Sequence, residues 1–143
     1  MNNIDDIYTS IIMEHSMNSQ NHHELDGETC KVHGHNPNCG DDITLHLNVS
    51  DGTIKDLSFT GSGCAISQSS TSVMIDVLRG KTIEQAKQIA DIFCKMIDRQ
   101  NLTEEEKLLL EDAVAFQNIS NMPARVKCAL LAWKTIKSKL NEL

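Results

Sequence analysis

The stretch DITLHLNVSDGTIKDLSFTGSGCAIS, residues 42–67, contains the change of period that decides the fold. In its first part Ile43, Leu45, Leu47 and Val49 alternate with Asp42, Thr44, His46 and Asn48. This period of two marks a half-buried strand and points His46 to solvent. Asp51-Gly52 is a two-residue hairpin turn, and TIKDLSFTG, 53–61, returns as the next strand with Ile54, Leu57 and Phe59 apolar. The step from 54 to 57 predicts a bulge. After Gly61-Ser62-Gly63 the apolar spacing becomes three and four, through Ala65, Ile66, Val73, Met74, Val77 and Leu78, and stops at Gly80. That pattern predicts a helix opening at Cys64.

Upstream, TCKVHGH, 29–35, reads as a first strand with Cys30 and Val32 on one face and Lys31 and His33 on the other. SMNSQNHHELDGE, 16–28, lacks periodicity and reads as a surface loop that leaves His22 and His23 solvated. IDDIYTSIIM, 4–13, spaces Ile4, Ile7, Ile11 and Ile12 as a short helix with acids in its first turn. Downstream, Thr82 and Gln85 have capping-box spacing before a stripe of Ile83, Ala86, Ile89, Ala90, Phe93 and Ile97, with Cys94 buried beside it. Thr103 and Glu106 repeat the capping signal before LLLEDAVAF, and Pro123 opens a last helix, PARVKCALLAWKTIKSKL, with Val126, Leu130, Trp133 and Ile136 as its packing stripe. The expected architecture is α+β: a small three-stranded antiparallel sheet packed against about five helices, in a single domain over 1–143.

Thirteen basic and 20 acidic residues give a formal charge of −7, which opposes nucleic acid and anionic membrane surfaces and favours a basic protein partner. The first residues, MNNIDDIYTS, lack a basic segment followed by an apolar one, and no run of about 18 apolar residues occurs. A soluble, cytoplasmic protein is expected. Five cysteines in a reducing compartment point to metal ligation, thiol chemistry or core packing, not to disulfides.

Three segments carry candidate chemistry. Cys39 and Asp41 lie in NPNCGDDI, where Pro37, Asn38 and Gly40 favour a tight turn. Cys64 lies between flexible glycines and a helix N-terminus, which favours thiolate. Cys128 follows Arg125 by one helical turn, so a guanidinium shares its face. Three sulfurs and one carboxylate suit tetrahedral zinc, with the carboxylate the weaker ligand of a site able to rearrange. Spacing alone does not decide a metal site, because Cys64 and Cys128 are remote from Cys39 and from each other.

NPNCGDDI, GSGCAIS with Ser69 and Met74 after it, and PARVKCALLAW resemble the U-type proteins of iron–sulfur assembly, IscU and SufU, over about residues 5–140. Two departures make the chain more similar to the SufU branch. Lys127 precedes Cys128 where the IscU-like pattern has histidine, and IDRQNLTEEEKLLLEDAVAFQNISN widens the gap between Cys64 and Cys128. The resemblance implies a zinc-dependent sulfurtransferase with zinc on Cys39, Asp41, Cys64 and Cys128. It implies Cys39 as acceptor of persulfide sulfur from a SufS-type cysteine desulfurase, with delivery toward downstream SUF scaffold components. Arg125 would stabilise the thiolate or gate its release.

The alternative function is a scaffold holding a transient iron–sulfur cluster through Cys39, Cys64 and Cys128. The plainer alternatives are a closed zinc staple for the four ligands and a solvated surface cation for Arg125. Lys127, His33 and His35 read as solvated, and Cys30 and Cys94 as core residues.

Overall fold

The computed structural model describes residues 3–17, 19–37 and 40–143. Helix α1 spans Asn3–Met17, strands β1, β2 and β3 span Cys30–Asn36, Asp41–Ser50 and Thr53–Ser62, and helices α2 and α3 span Ala65–Leu78 and Ile83–Ile97. Helix α4, Glu104–Leu110, runs into a 3₁₀ segment, Glu111–Asn121, and helix α5 closes the chain at Pro123–Leu140. The sheet is antiparallel with order β1-β2-β3, so the expected α+β architecture is what forms.

The hairpin follows the local sequence. Asp51 and Gly52 both hold positive φ, 54° and 73°, the pair of values a tight primed turn needs. The register slips between Asn48 and Val49, which pair with Asp56 and Ile54, so Lys55 is the extra residue of the expected bulge. Ile43, Leu45, Leu47, Leu57 and Phe59 turn one face of the sheet into a fully buried layer. Helices α2 and α5 pack on that layer, and α3 packs on α5.

Helix α2 is the central helix. Its buried run Ser69-Ser70-Thr71-Ser72 would be costly without partners. Ser69 Oγ donates to Ala65 O at 2.7 Å, Thr71 Oγ1 to Ser67 O at 2.8 Å and Ser70 Oγ to Ala129 O of α5 at 2.7 Å. Ser70 Oγ in turn accepts from Trp133 Nε1 at 3.0 Å, and the indole stacks on Phe93 at 4.1 Å between centroids. That chain of contacts ties α2, α3 and α5 into one core.

Three local expectations change. His46 does not reach solvent: it is 6% exposed, with Nδ1 bonded to Glu28 Oε2 and Nε2 to Thr60 Oγ1, both at 2.9 Å. The loop before β1 covers that outer position, a tertiary contact that alternation cannot encode. The helix expected through LLLEDAVAF breaks at Glu111, whose φ is +51°, and continues as 3₁₀. Ala113, Phe116 and Ile119 are buried at a strict spacing of three, which lines one face of a three-per-turn helix. Cys94 is half-buried, not buried. Both capping boxes form as read, Thr82 with Gln85 and Thr103 with Glu106. His22 and His23 are exposed, although the His22 ring stacks on Phe59 at 4.5 Å. Among the described residues no helix is long and apolar enough to cross a membrane.

Because Trp133 is fully buried, stacked and hydrogen-bonded, Trp133→Ala is expected to lower unfolding free energy by about 3–5 kcal/mol. Urea denaturation followed by circular dichroism measures this.

Candidate metal centre

Strand β2 starts at Asp41, held by pairing with Asn36 at the end of β1. Gly40, just before it, has φ +70°, a value that favours glycine and lets the chain turn sharply into the strand. The Asp41 side chain therefore points from the start of β2 toward the N-terminus of α2. There its Oδ1 accepts the Cys64 backbone N–H at 3.0 Å. Cys64 is the N-cap of α2, and its sulfur accepts the Ser67 N–H at 3.4 Å. This contact aims a donor and the positive end of the helix dipole at the sulfur. Gln68 Nε2 donates to Gly63 O at 2.8 Å and fixes the approach to the cap.

Cys128 comes from the second turn of α5 and is 1% exposed. One carboxylate oxygen of Asp41 and the sulfurs of Cys64 and Cys128 all lie within 4.8 Å of one another. Asp41 is fully buried, and its Oδ2 has no hydrogen-bond partner. A buried carboxylate oxygen without a partner carries a desolvation cost that a bound cation removes. Two sulfurs and a carboxylate oxygen are a donor set that zinc accepts, and a fourth position is needed to complete four-coordination. The residues present thus fit a metal ion. The structure brings three of the four expected ligands together; Cys39 lies outside the described residues.

Two site residues carry no signal in the sequence by residue type. A side chain at Gly63 would place Cβ 2.7 Å from Asp41 Oδ1 and 3.0 Å from Ser67 Oγ, so only glycine allows this approach. Ser67 Oγ is itself buried and without a partner beside the carboxylate. Its position, three residues into the helix from Cys64, is the only sequence clue to its place here.

The remaining candidates fall elsewhere. Arg125 and Lys127 are exposed in the first turns of α5. His33 is exposed with Nε2 on Asp42 Oδ1 at 2.5 Å, and His35 is exposed beside it, their rings 6.3 Å apart. Cys30 is half-buried and packs against the core. Burial pushes the Cys94 thiol above its ordinary range against the opposing pull of Lys134 and Lys137, which makes it a poor nucleophile at neutral pH.

The NifU-like N-terminal domain family model matches residues 7–140. The iron–sulfur cluster assembly scaffold protein IscU of Thermotoga maritima is 37% identical over 137 residues, covering 96% of this chain and 94% of that protein. The zinc-dependent sulfurtransferase SufU of Bacillus subtilis is 37% identical over 135 residues, covering 94% of this chain and 90% of that protein. The crystal structure of a candidate SUF-system scaffold protein from Fervidobacterium islandicum AW-1 superposes with a TM-score of 0.86. It is 36% identical and covers 94% of this chain and 97% of that one.

Gly63→Ala is expected to displace the Asp41 carboxylate and weaken zinc binding at least about tenfold while far-ultraviolet circular dichroism stays unchanged. Competition with a chromophoric chelator measures this affinity.

Proposed function

The chain belongs to the NifU-like N-terminal domain family, and from that premise we propose that it is a zinc-dependent sulfurtransferase of iron–sulfur cluster biogenesis. In this reading zinc is held by Cys39, Asp41, Cys64 and Cys128, and Cys39 accepts sulfur from a SufS-type cysteine desulfurase and passes it toward SUF assembly components. The observation that supports it most is the convergence of buried Asp41, half-buried Cys64 and buried Cys128 with an orphaned oxygen on Asp41, which follows Cys39 by two residues. The likeness to a relative named as a zinc-dependent sulfurtransferase points the same way. So does Lys127 in place of a histidine, which removes one nitrogen ligand of the IscU-like pattern.

When bound, zinc keeps its cysteine ligands deprotonated at neutral pH. The protein's own residues do the rest. Cys64 is pinned as the N-cap of α2 and Cys128 is buried in α5, so neither sulfur is free to travel. Cys39 is followed by Gly40, a residue type whose backbone takes many conformations, and in this reading it is the ligand that leaves the site.

The Cys39 thiolate attacks the terminal sulfur of the desulfurase cysteine persulfide. A new S–S bond forms at Cys39, the donor's S–S bond breaks, and the desulfurase cysteine departs as thiolate. The sulfane sulfur keeps its oxidation level, so the step needs no outside oxidant. Arg125, exposed at the mouth of α5 one turn before Cys128, supplies a positive charge for the thiolate that moves.

The relatives named as assembly scaffolds favour a second reading, in which Cys39, Cys64 and Cys128 hold a transient iron–sulfur cluster. The two differ in colour and composition. Protein purified without oxygen is expected to carry about one zinc per chain and no visible absorption band. Brown protein with iron and labile sulfide by elemental analysis would establish the scaffold instead.

Two variants separate chemistry from binding. Cys39→Ala is expected to abolish persulfide acceptance and stimulation of the desulfurase while leaving the fold intact, as read by mass spectrometry and sulfide release. A closed structural zinc site would instead lose the fold along with the metal. Arg125→Ala is expected to retain zinc and lower transfer about tenfold or more, with partial recovery in Arg125→Lys.

A further inference from the structure

Strand β1 is an edge strand of the sheet, and the face of α5 that follows Cys128 runs alongside it. Between them lies a groove of about 530 Å3. Its floor is set by Gly34, where an added Cβ would collide with Thr135, so the missing side chain brings strand and helix close. Lys127, Leu130, Leu131 and Lys134 recur at helical spacing along one wall, and Val32 and His35 belong to the other.

Three observations distinguish this groove. The chain has 20 acidic residues and a net charge of −7, yet among the described residues no acidic one lines the groove, whereas Lys127 and Lys134 both do. Asn36, a lining residue only 6% exposed, keeps a buried Nδ2 donor without a partner. Both walls run to the metal centre: Asn36 pairs with Asp41, and Lys127 precedes Cys128. A cationic, donor-rich channel with an apolar floor thus leads along the surface to the ligand set.

We propose that the groove between β1 and α5 is the docking site for an acidic, partly apolar segment of the persulfide-donating desulfurase. This rests on the sulfurtransferase reading for the partner's identity. Carboxylates of the segment meet Lys127 and Lys134 and its apolar side chains meet Val32, Leu130 and Leu131, so the donor is aligned with the Cys39 loop. The overall charge of −7 does not oppose this, because contact is decided by the local field and charges farther away than about 8–10 Å are screened at physiological salt.

The test measures the dissociation constant between the zinc-loaded protein and a SufS-type desulfurase by titration calorimetry, with sulfide release followed in parallel. Lys127→Glu/Lys134→Glu is compared with Lys55→Glu/Lys107→Glu, a charge-matched pair of exposed residues outside the groove. The groove pair is expected to weaken binding about tenfold or more, while zinc content and circular dichroism stay as in wild type. The control pair is expected to change binding less than about twofold. Lys134→Glu alone, farther from Cys128, is expected to show part of the loss with zinc again retained.

Equal weakening by both pairs would mean that net charge alone acts, and unchanged binding in the groove pair would mean that the donor docks elsewhere; either overturns the proposal. Wild-type binding that depends on the groove but yields no persulfide on Cys39 would keep the docking site and overturn the sulfurtransferase reading. Absence of wild-type binding would overturn both.

Discussion

The rest of the site depends on one hydrogen bond, from the Cys64 backbone N–H to the buried Asp41 Oδ1. It joins the first residue of β2 to the cap of α2, and in doing so leaves the second carboxylate oxygen buried with no partner. A carboxylate in that position is tolerable only if positive charge is close at hand, since burial of an uncompensated anion costs several kcal/mol. The helix dipole supplies part of that charge. The two sulfurs beside it are further metal donors, so the three atoms together suit a cation held among them.

The surrounding fold frames this arrangement from three sides. Cys64 is fixed by the cap and by Gln68 on Gly63, and Cys128 by burial in α5 against α2. The serine-rich run of α2 supports that packing: Ser69 and Thr71 donate to carbonyls of their own helix, and Ser70 donates to Ala129 O of α5, so a small polar side chain ties the two helices together. The third side is the sharp entry into β2 at Gly40, whose φ of +70° favours glycine.

The groove between β1 and α5 extends the same logic to the surface. Gly34 against Thr135 brings strand and helix together at its floor, while Lys127 and Lys134 bring positive charge to a chain whose total is negative. Its walls are continuous with the elements that carry Asp41 and Cys128. The groove and Cys128 thus share α5, while Asp41 comes from β2, the strand paired with β1.

By itself the sequence determined the sheet, the hairpin with its bulge, the helix opening at Cys64 and both capping boxes, because these are set by short-range periodicity and turn chemistry. It also singled out Asp41, Cys64 and Cys128, through residue type and the family resemblance. Only the tertiary structure decided that these three converge, because they come from elements far apart in the chain. It also decided that His46 is covered by Glu28, that Gly63 and Ser67 complete the site, and that the helix after Leu110 tightens into 3₁₀. In each case the deciding contact is made by a residue distant in sequence or by a choice of helical pitch that packing selects. Local pattern holds no record of either.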